Sequence, residues 1–276
     1  MALLAKKGAV LGKPIAHSLS PALHRAAYAA LGLGGWSYTA IECAEEELPA
    51  LLDGCGQDWA GLSLTMPLKR AVLPLLDRTE PLAEATGGAN TVVFSDGERH
   101  GYNTDVPGIV TALTEAGVKD PGPVTILGAG ATACSALAAL GELGVTQAQV
   151  VVRDPSRAGA LLAAARRLGA RVELADSLPP APGLLISTLP AGAADGYSER
   201  IRGSRRPPTA VLDVVYAPWP TPLALAAAQA GAIVVAGFDM LLHQAAGQVE
   251  LMTGRPAPVA QMRAAGEAAL LAVRES

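Results

Sequence analysis

Several groups of side chains have types and spacing suited to chemistry. In residues 124–133, VTILGAGATA, apolar residues run into Gly128 and Gly130 and then into an alanine-rich stretch, 131–143, of helical composition. A strand, a glycine turn and a helix start in that order offer free N–H groups and the positive end of a helix dipole to an anion, and the glycines let the backbone approach a pyrophosphate. Without a ligand the same order is a plain strand-to-helix turn. Ala133 stands where a third glycine would complete the dinucleotide pattern, so the motif alone leaves both readings open. Further on, VVRDPSR puts Arg153 and Arg157 at the end of the next strand, where the ribose 2′ position of a dinucleotide falls. Arginine there pairs with a phosphate, and an acid with a hydroxyl. Asp154 speaks for the hydroxyl, but it directly precedes Pro155 at a helix start, and capping is a sufficient explanation for it. The charge geometry favours NADP.

The first third of the chain carries a second set. In GKPIAHSLSPALH, Ser20 before Pro21 reads as the N-cap of a helix, and Ser18 stands two residues earlier; the hydroxyls suit an anion, or serve as a cap and a turn. His17 reads as an ordinary loop histidine. In TMPLKR, Pro67 starts a helix that holds Lys69 in its first turn, near the C-terminal end of a strand where ligands of open α/β sheets bind. A cation there opposes the helix dipole, which sets Lys69 apart from an ordinary surface lysine. Asn90, in TGGANT, and Asp105, in GYNTDVPG, read at this level as a turn residue and a helix N-cap.

The elements that must position these residues follow from the apolar pattern. Residues 9–11, 36–41, 59–65 and 91–94 read as strands and 20–31 and 45–52 as helices, with a hairpin around Asp96 and Gly97. From 106 to 237 strands and helices alternate, with buried-type strands at 149–152, 171–174, 184–188, 210–215 and 233–236. This implies a parallel, doubly wound sheet with its ligand crevice at the strand ends. Residues 237–254 and the helix 258–274 fall outside the alternation and are expected to pack back on the first domain. The fold class is therefore α/β with two domains. One is discontinuous, 1–105 plus 238–276; the other, 106–237, is a Rossmann-like domain that carries the NADP turn and arginines.

Composition bounds the function. The chain has 276 residues, enough for two cores, and 21 basic against 25 acidic side chains, a net charge of −4 with no basic patch. Nucleic acid is excluded as a partner. Three cysteines, Cys43, Cys55 and Cys134, with no close pair argue for free thiols over a disulfide framework or a zinc site. The opening residues lack a signal-peptide pattern, and the most membrane-like stretch, 223–235, is broken by Gln229 and Gly231 and falls short of about 18 apolar residues. A soluble, cytoplasmic protein acting on a small molecule is expected. Its oligomeric state, a homodimer included, is left open.

Together GKPIAHSLSPALH, LSLTMPLK, GGANT, GYNTDVPG, LGAGATA, VRDPSR, STLP, DVVYAPWPTPL and GFDMLLHQA resemble the shikimate dehydrogenase family, in its order and over nearly the whole chain. The resemblance implies reversible reduction of 3-dehydroshikimate to shikimate with NADPH, on the way to aromatic amino acids and with no metal, in an active-site cleft between a substrate-binding and catalytic domain, 1–105 plus 238–276, and the NADP domain, 106–237. It makes Lys69 and Asp105 the catalytic pair, since hydride reduction of a ketone leaves alkoxide charge that a lysine can stabilise and protonate and an aspartate can help to relay. It assigns substrate contacts to Ser18, Ser20, Thr65, Asn90, Tyr216 and Gln244. The cofactor turn and phosphate clamp become Gly128, Ala129, Gly130, Ala131, Arg153 and Arg157, and Thr188, Val214, Gly237 and Met240 lie near the adenosine or nicotinamide. Three departures stand out: Ser63 replaces the family's asparagine two residues before Thr65, Ala131 replaces a common glycine, and VRDP replaces an asparagine-arginine-threonine run. The alternatives are an NAD-dependent quinate/shikimate dehydrogenase, with Asp154 on the ribose, and a non-catalytic NADP-binding regulatory module. Intact Lys69 and Asp105 argue against the module.

Overall fold

Two six-stranded sheets organise the chain in the computed structural model, which describes residues 5–180 and 182–275. The chain divides into one unit of Met1–Thr104 and Leu242–Ser276 and a second of Asp105–Leu241. Part of the opening stretch weighed above as a leader, residues 1–4, lies outside the described residues.

The first unit runs β1 (Lys7–Gly12), α1 (Ser20–Ala30), β2 (Ser37–Glu42), α2 (Leu48–Asp53), β3 (Trp59–Leu64), α3 (Leu68–Ala71), β4 (Arg78–Thr79), α4 (Pro81–Thr86), β5 (Thr91–Ser95) and β6 (Glu98–Tyr102). Its sheet has the order β2-β1-β3-β5-β6-β4. β1 is parallel to β2 and β3, and β5 is antiparallel to β3 and β6, the latter pair closed by the turn at Asp96 and Gly97. β1 and β3 are buried on both faces, so their apolar runs, with Ala9, Leu11, Leu62 and Leu64, pack with Leu48, Leu52, Leu68 and Val72 into one core.

The second unit runs α5 (Asp105–Glu115), β7 (Val124–Leu127), α6 (Ala131–Glu142), β8 (Gln147–Val151), α7 (Gly159–Leu168), β9 (Arg171–Ala175), β10 (Leu184–Ser187), α8 (Asp195–Arg202), β11 (Ala210–Asp213), α9 (Pro222–Gln229) and β12 (Ile233–Ala236). All neighbours in its sheet, β12-β11-β10-β7-β8-β9, are parallel. The chain starts in the middle, at β7, winds outward through β8 and β9, then returns to β10 on the other side; that reversal is where doubly wound sheets bind ligands. β7, β10 and β11 are buried throughout. β9 and β12 are not the buried strands expected: they lie at the two sheet edges, β9 with no fully buried residue and β12 with Ile233 43% exposed.

α10 (Gly237–Thr253) starts in the second unit and continues from Leu242 in the first, and α11 (Val259–Glu275) packs on α1. Asp105 and residues 238–241 thus fall with the second unit. Asp105 is buried as the first residue of α5, and the start of α10 rests on the end of β11. Among the described residues no helix is long and apolar enough to cross a membrane, and no group of three or more His, Cys, Asp or Glu could hold a metal ion.

Candidate active site

Of the residues expected to contact substrate, Ser18 and Ser20 follow β1, Thr65 follows β3, and Leu64 N–H at the end of β3 donates to Asn90 O (2.7 Å). Thr65 N–H donates to Leu11 O of β1 (2.9 Å), while Leu68 N–H donates to Thr65 O (2.8 Å), shaping the turn that leads to Lys69. The carbonyl of Lys69 accepts from Ala89 N–H (2.8 Å), so the lysine turn and the segment carrying Asn90 are joined backbone to backbone. Asn90 is 1% exposed. Its Oδ1 accepts from Thr104 N–H (2.8 Å), and its Nδ2 donates to Thr104 Oγ1 (2.9 Å) and to Gln244 Oε1 of α10 (3.1 Å). Thr104 is the residue before Asp105. Lys69, Asn90, Gln244 and the chain leading into Asp105 therefore belong to one bonded set.

Two of the local expectations need correcting. α3 is a single turn of four residues, too short to carry a useful dipole, so opposition to a helix end does not set Lys69 apart; its backbone is held by the Thr65 turn and the Ala89 bond. Ser20 is not the N-cap of α1: Leu19 holds that place, no side chain caps it, and Ser20 is the first helical residue, 4% exposed. The half-buried Ser18 does the turn's work, its Oγ accepting from Ser20 N–H (3.3 Å).

In the second unit, backbone bonds stitch the strand ends together: Gly128 N–H to Val151 O (3.0 Å), Thr188 N–H to Leu127 O (3.0 Å) and Val214 N–H to Ser187 O (3.1 Å). Gly128, Thr188 and Val214 thus share the C-terminal edge of the sheet. Gly128 has φ +99°, and a Cβ there would lie 2.8 Å from Thr188 Oγ1, so the turn requires glycine. Gly237 opens α10 against the backbone of Val214, and a Cβ would also stand 2.8 Å from Val215 C. Met240 is buried one turn on. α6 begins at Ala131 with no side-chain cap, and a Cβ on Gly130 would meet nothing within 4 Å. Uncapped N–H groups beside open space fit a dinucleotide pyrophosphate at Gly128, Ala129, Gly130 and Ala131.

Arg153 and Arg157 are exposed beyond β8. Between them Asp154 Oδ1 accepts from Ser156 N–H (3.0 Å) and Ser156 Oγ (2.6 Å), capping the short turn Pro155–Ala158. The Ser156 hydroxyl and then its N–H hold the Asp154 carboxyl below the usual range. Tyr216 is half-buried on the loop after β11. That loop is held by a residue the sequence reading passed over. Asp213 is fully buried; its Oδ2 accepts from Thr221 Oγ1 (2.7 Å) and its Oδ1 from Val215 N–H (3.3 Å). Thr221 Oγ1 in turn accepts from Ala224 N–H (3.1 Å) to cap α9. Burial pushes the Asp213 carboxyl above its ordinary value, against the bonds from Thr221 and Val215. An acid ending an apolar strand, eight residues before a Thr-Pro helix start, was the signal available.

The chain is similar to known proteins over most of its length. Residues 10–92 match the shikimate dehydrogenase substrate binding domain, and residues 237–265 the shikimate 5'-dehydrogenase C-terminal domain. A shikimate dehydrogenase (NADP(+)) from a Synechococcus strain is 36% identical over 276 residues, 94% of this chain and 93% of that one. The chain belongs to the shikimate dehydrogenase family. Of solved shikimate dehydrogenases, that of Mycobacterium tuberculosis matches with a TM-score of 0.85 at 43% identity, covering 95% of this chain and 99% of that one. The Thermus thermophilus shikimate 5-dehydrogenase, in complex with NADP(H) and shikimate, matches with a TM-score of 0.81 at 36% identity, covering 96% and 100%. Two of the three departures from the shikimate dehydrogenase pattern have local structural partners. Ser63 is buried between Tyr38, whose phenol donates to it, and Gln248 Oε1, to which it donates (2.8 Å). Asp154 in VRDP is a cap, as its position before Pro155 suggested.

Proposed function

We propose that this chain acts as a shikimate dehydrogenase, reversibly reducing 3-dehydroshikimate to shikimate with NADPH in the synthesis of aromatic amino acids. Lys69 and Asp105 are its catalytic pair. The observation that carries the reading is the bonded set joining Lys69 to Ala89, Asn90 to Gln244, and Asn90 to Thr104, next to Asp105. Bound NADPH supplies the hydride. The ammonium of Lys69 stabilises the charge that develops on the ketone oxygen and donates a proton to it, and Asp105 orients that ammonium and relays the proton. The amides of Asn90 and Gln244 pair with ring hydroxyls, and the hydroxyls of Ser18, Ser20 and Thr65 suit the carboxylate; Tyr216 adds a contact from the loop that Asp213 holds. Such paired bonds reject a ring lacking a hydroxyl, because the buried amides would be left unsatisfied.

Gly128 to Ala131 hold the pyrophosphate at the start of α6, and Arg153 and Arg157 take the 2′-phosphate. Thr188, Val214, Gly237 and Met240 line the adenosine and nicotinamide. The engagement of Asp154 with Ser156 supports NADP over NAD, since a capping carboxylate is not offered to a ribose hydroxyl. The same reading makes this a cytoplasmic enzyme of a free small molecule. Initial rates with shikimate and quinate, each with NADP and NAD, test it. The expected result is the highest kcat/KM for shikimate with NADP; a preference for quinate or for NAD overturns the corresponding half of the assignment.

A further inference from the structure

Behind Asn90 lies a chain of buried polar side chains that the catalytic reading does not use. Gln248, 1% exposed, lies one turn beyond Gln244 on the same face of α10. Its Nε2 donates to Asn90 O (3.2 Å) and Thr91 Oγ1 (3.1 Å). A backbone carbonyl only accepts, so the amide orientation is fixed, and Oε1 must face Ser63 Oγ (2.8 Å) and His24 Nε2 (3.2 Å). Both of those groups must donate. Ser63, having given its proton to Gln248, accepts from the Tyr38 phenol. Thr91, accepting from Gln248, gives its own proton to Asn90 Oδ1 (2.9 Å), which also accepts from Thr104 N–H. Every bond therefore has one direction, from Tyr38 and His24 through Gln248 to the amide of Asn90. With two donors on Oδ1, the Asn90 Nδ2 is turned toward Gln244.

We infer that Gln248 is a positioning residue for substrate binding: it fixes the side-chain amide of Asn90, and through it Gln244, in the orientation that pairs with the ring hydroxyls of the substrate. The relay also accounts for Ser63. A serine is short enough to leave room for the Tyr38 phenol and still reach Gln248, so the hydroxyl and the amide together fill a site where the family has an asparagine. The inference rests on the proposed roles of Asn90 and Gln244, and the experiment separates the two.

The measurement is the KM for shikimate and for NADP, with kcat, in Gln248→Met, Ser63→Ala and Asn90→Ala, beside the thermal midpoint of each. Gln248→Met keeps the volume and removes the four bonds that the Gln248 amide makes, to His24, Ser63, Asn90 O and Thr91. It is expected to raise the shikimate KM about tenfold, the size of leaving buried polar groups unpaired, with the NADP KM unchanged. A loss of packing alone would lower the midpoint without moving one KM and sparing the other. Ser63→Ala, which removes one donor and keeps Gln248, is expected to raise the shikimate KM about threefold, and it decides the matter if Gln248→Met does not fold. Asn90→Ala is the control on the site itself. If it raises the shikimate KM and the relay variants do not, the inference is overturned and the site stands; if Asn90→Ala leaves the shikimate KM unchanged, the site assignment fails and the inference with it.

Discussion

At Arg153 and Arg157 the proposed preference for NADP rests on two charges and one hydrogen-bonding habit. Both guanidiniums are exposed, and the carboxylate between them is committed to Ser156. Replacing either arginine by serine is expected to raise the NADP KM about tenfold or more, the scale of a charge-assisted bond, with little change in the NAD KM. Asp154→Asn should leave the ratio of NADP to NAD efficiency unchanged; a tenfold shift toward either cofactor would show that the carboxylate contacts the ribose and is not only a cap. His24 carries a second prediction. It is fully buried, stacked on Tyr38 at a 3.9 Å centroid distance, and burial lowers its pKa to about 4 against the weaker, opposing bond from Gln248. Because the folded state gives up this proton at a lower pH than the unfolded chain, the unfolded chain binds more protons between about pH 6.5 and 4. Stability conferred by neutral His24 is complete above that window and falls by about 3 kcal/mol on crossing it. Melting curves of the wild type and His24→Phe from pH 7 to 4 should converge or cross as the wild type loses stability faster; parallel curves would contradict the burial argument.

At the scale of elements, the β7 to α6 turn separates two uses of glycine. Gly128→Ala must adopt φ +99° with its Cβ against Thr188, and is expected to cost about 1–3 kcal/mol in stability as well as NADP affinity. Gly130→Ala meets no protein atom, so its thermal midpoint should be unchanged while NADP binding weakens, because the added methyl enters the space that a pyrophosphate approaches. Thermal melts with a NADP titration read both. This turn and the parallel strands around it were legible in the sequence because their cues are local: apolar runs, glycine at a turn, Thr-Pro or Asp-Pro at helix starts. α8 was missed, since DGYSERIR has only Ile201 and Ser198 buried and no apolar stripe to read. β4, of two residues, pairs with β6 and is too short to show an alternation. Ser20 was misplaced by one position because Ser-Pro marks a helix start without fixing which residue is the cap. The relay behind Asn90 gave no local sign at all: His24 and Gln248 are 224 residues apart, and only the return of α10 to the first unit makes them partners.

For the molecule as a whole, the division into two units assigns Lys69, Asn90 and Gln244 to the first and Asp105, Tyr216 and the cofactor turn to the second. The chain passes between the units at Thr104–Asp105 and within α10 at Leu241–Leu242. Each passage is tied to the site, Thr104 through its bonds to Asn90 and α10 through Gln244. The discontinuous arrangement was legible because the closing helices fell outside the strand-helix alternation, whereas the position of the passage inside a continuous helix was not, since nothing in the sequence interrupts α10 there. The central claim is that proton transfer belongs to Lys69 in the first unit while NADP is held by the second. The measurement that tests it most directly is shikimate turnover by Lys69→Ala, read beside its NADP affinity. The account predicts a kcat lower by about 10²–10⁴ with NADP binding unchanged. A folded Lys69→Ala protein that binds NADP and turns over shikimate near the wild-type rate would contradict it.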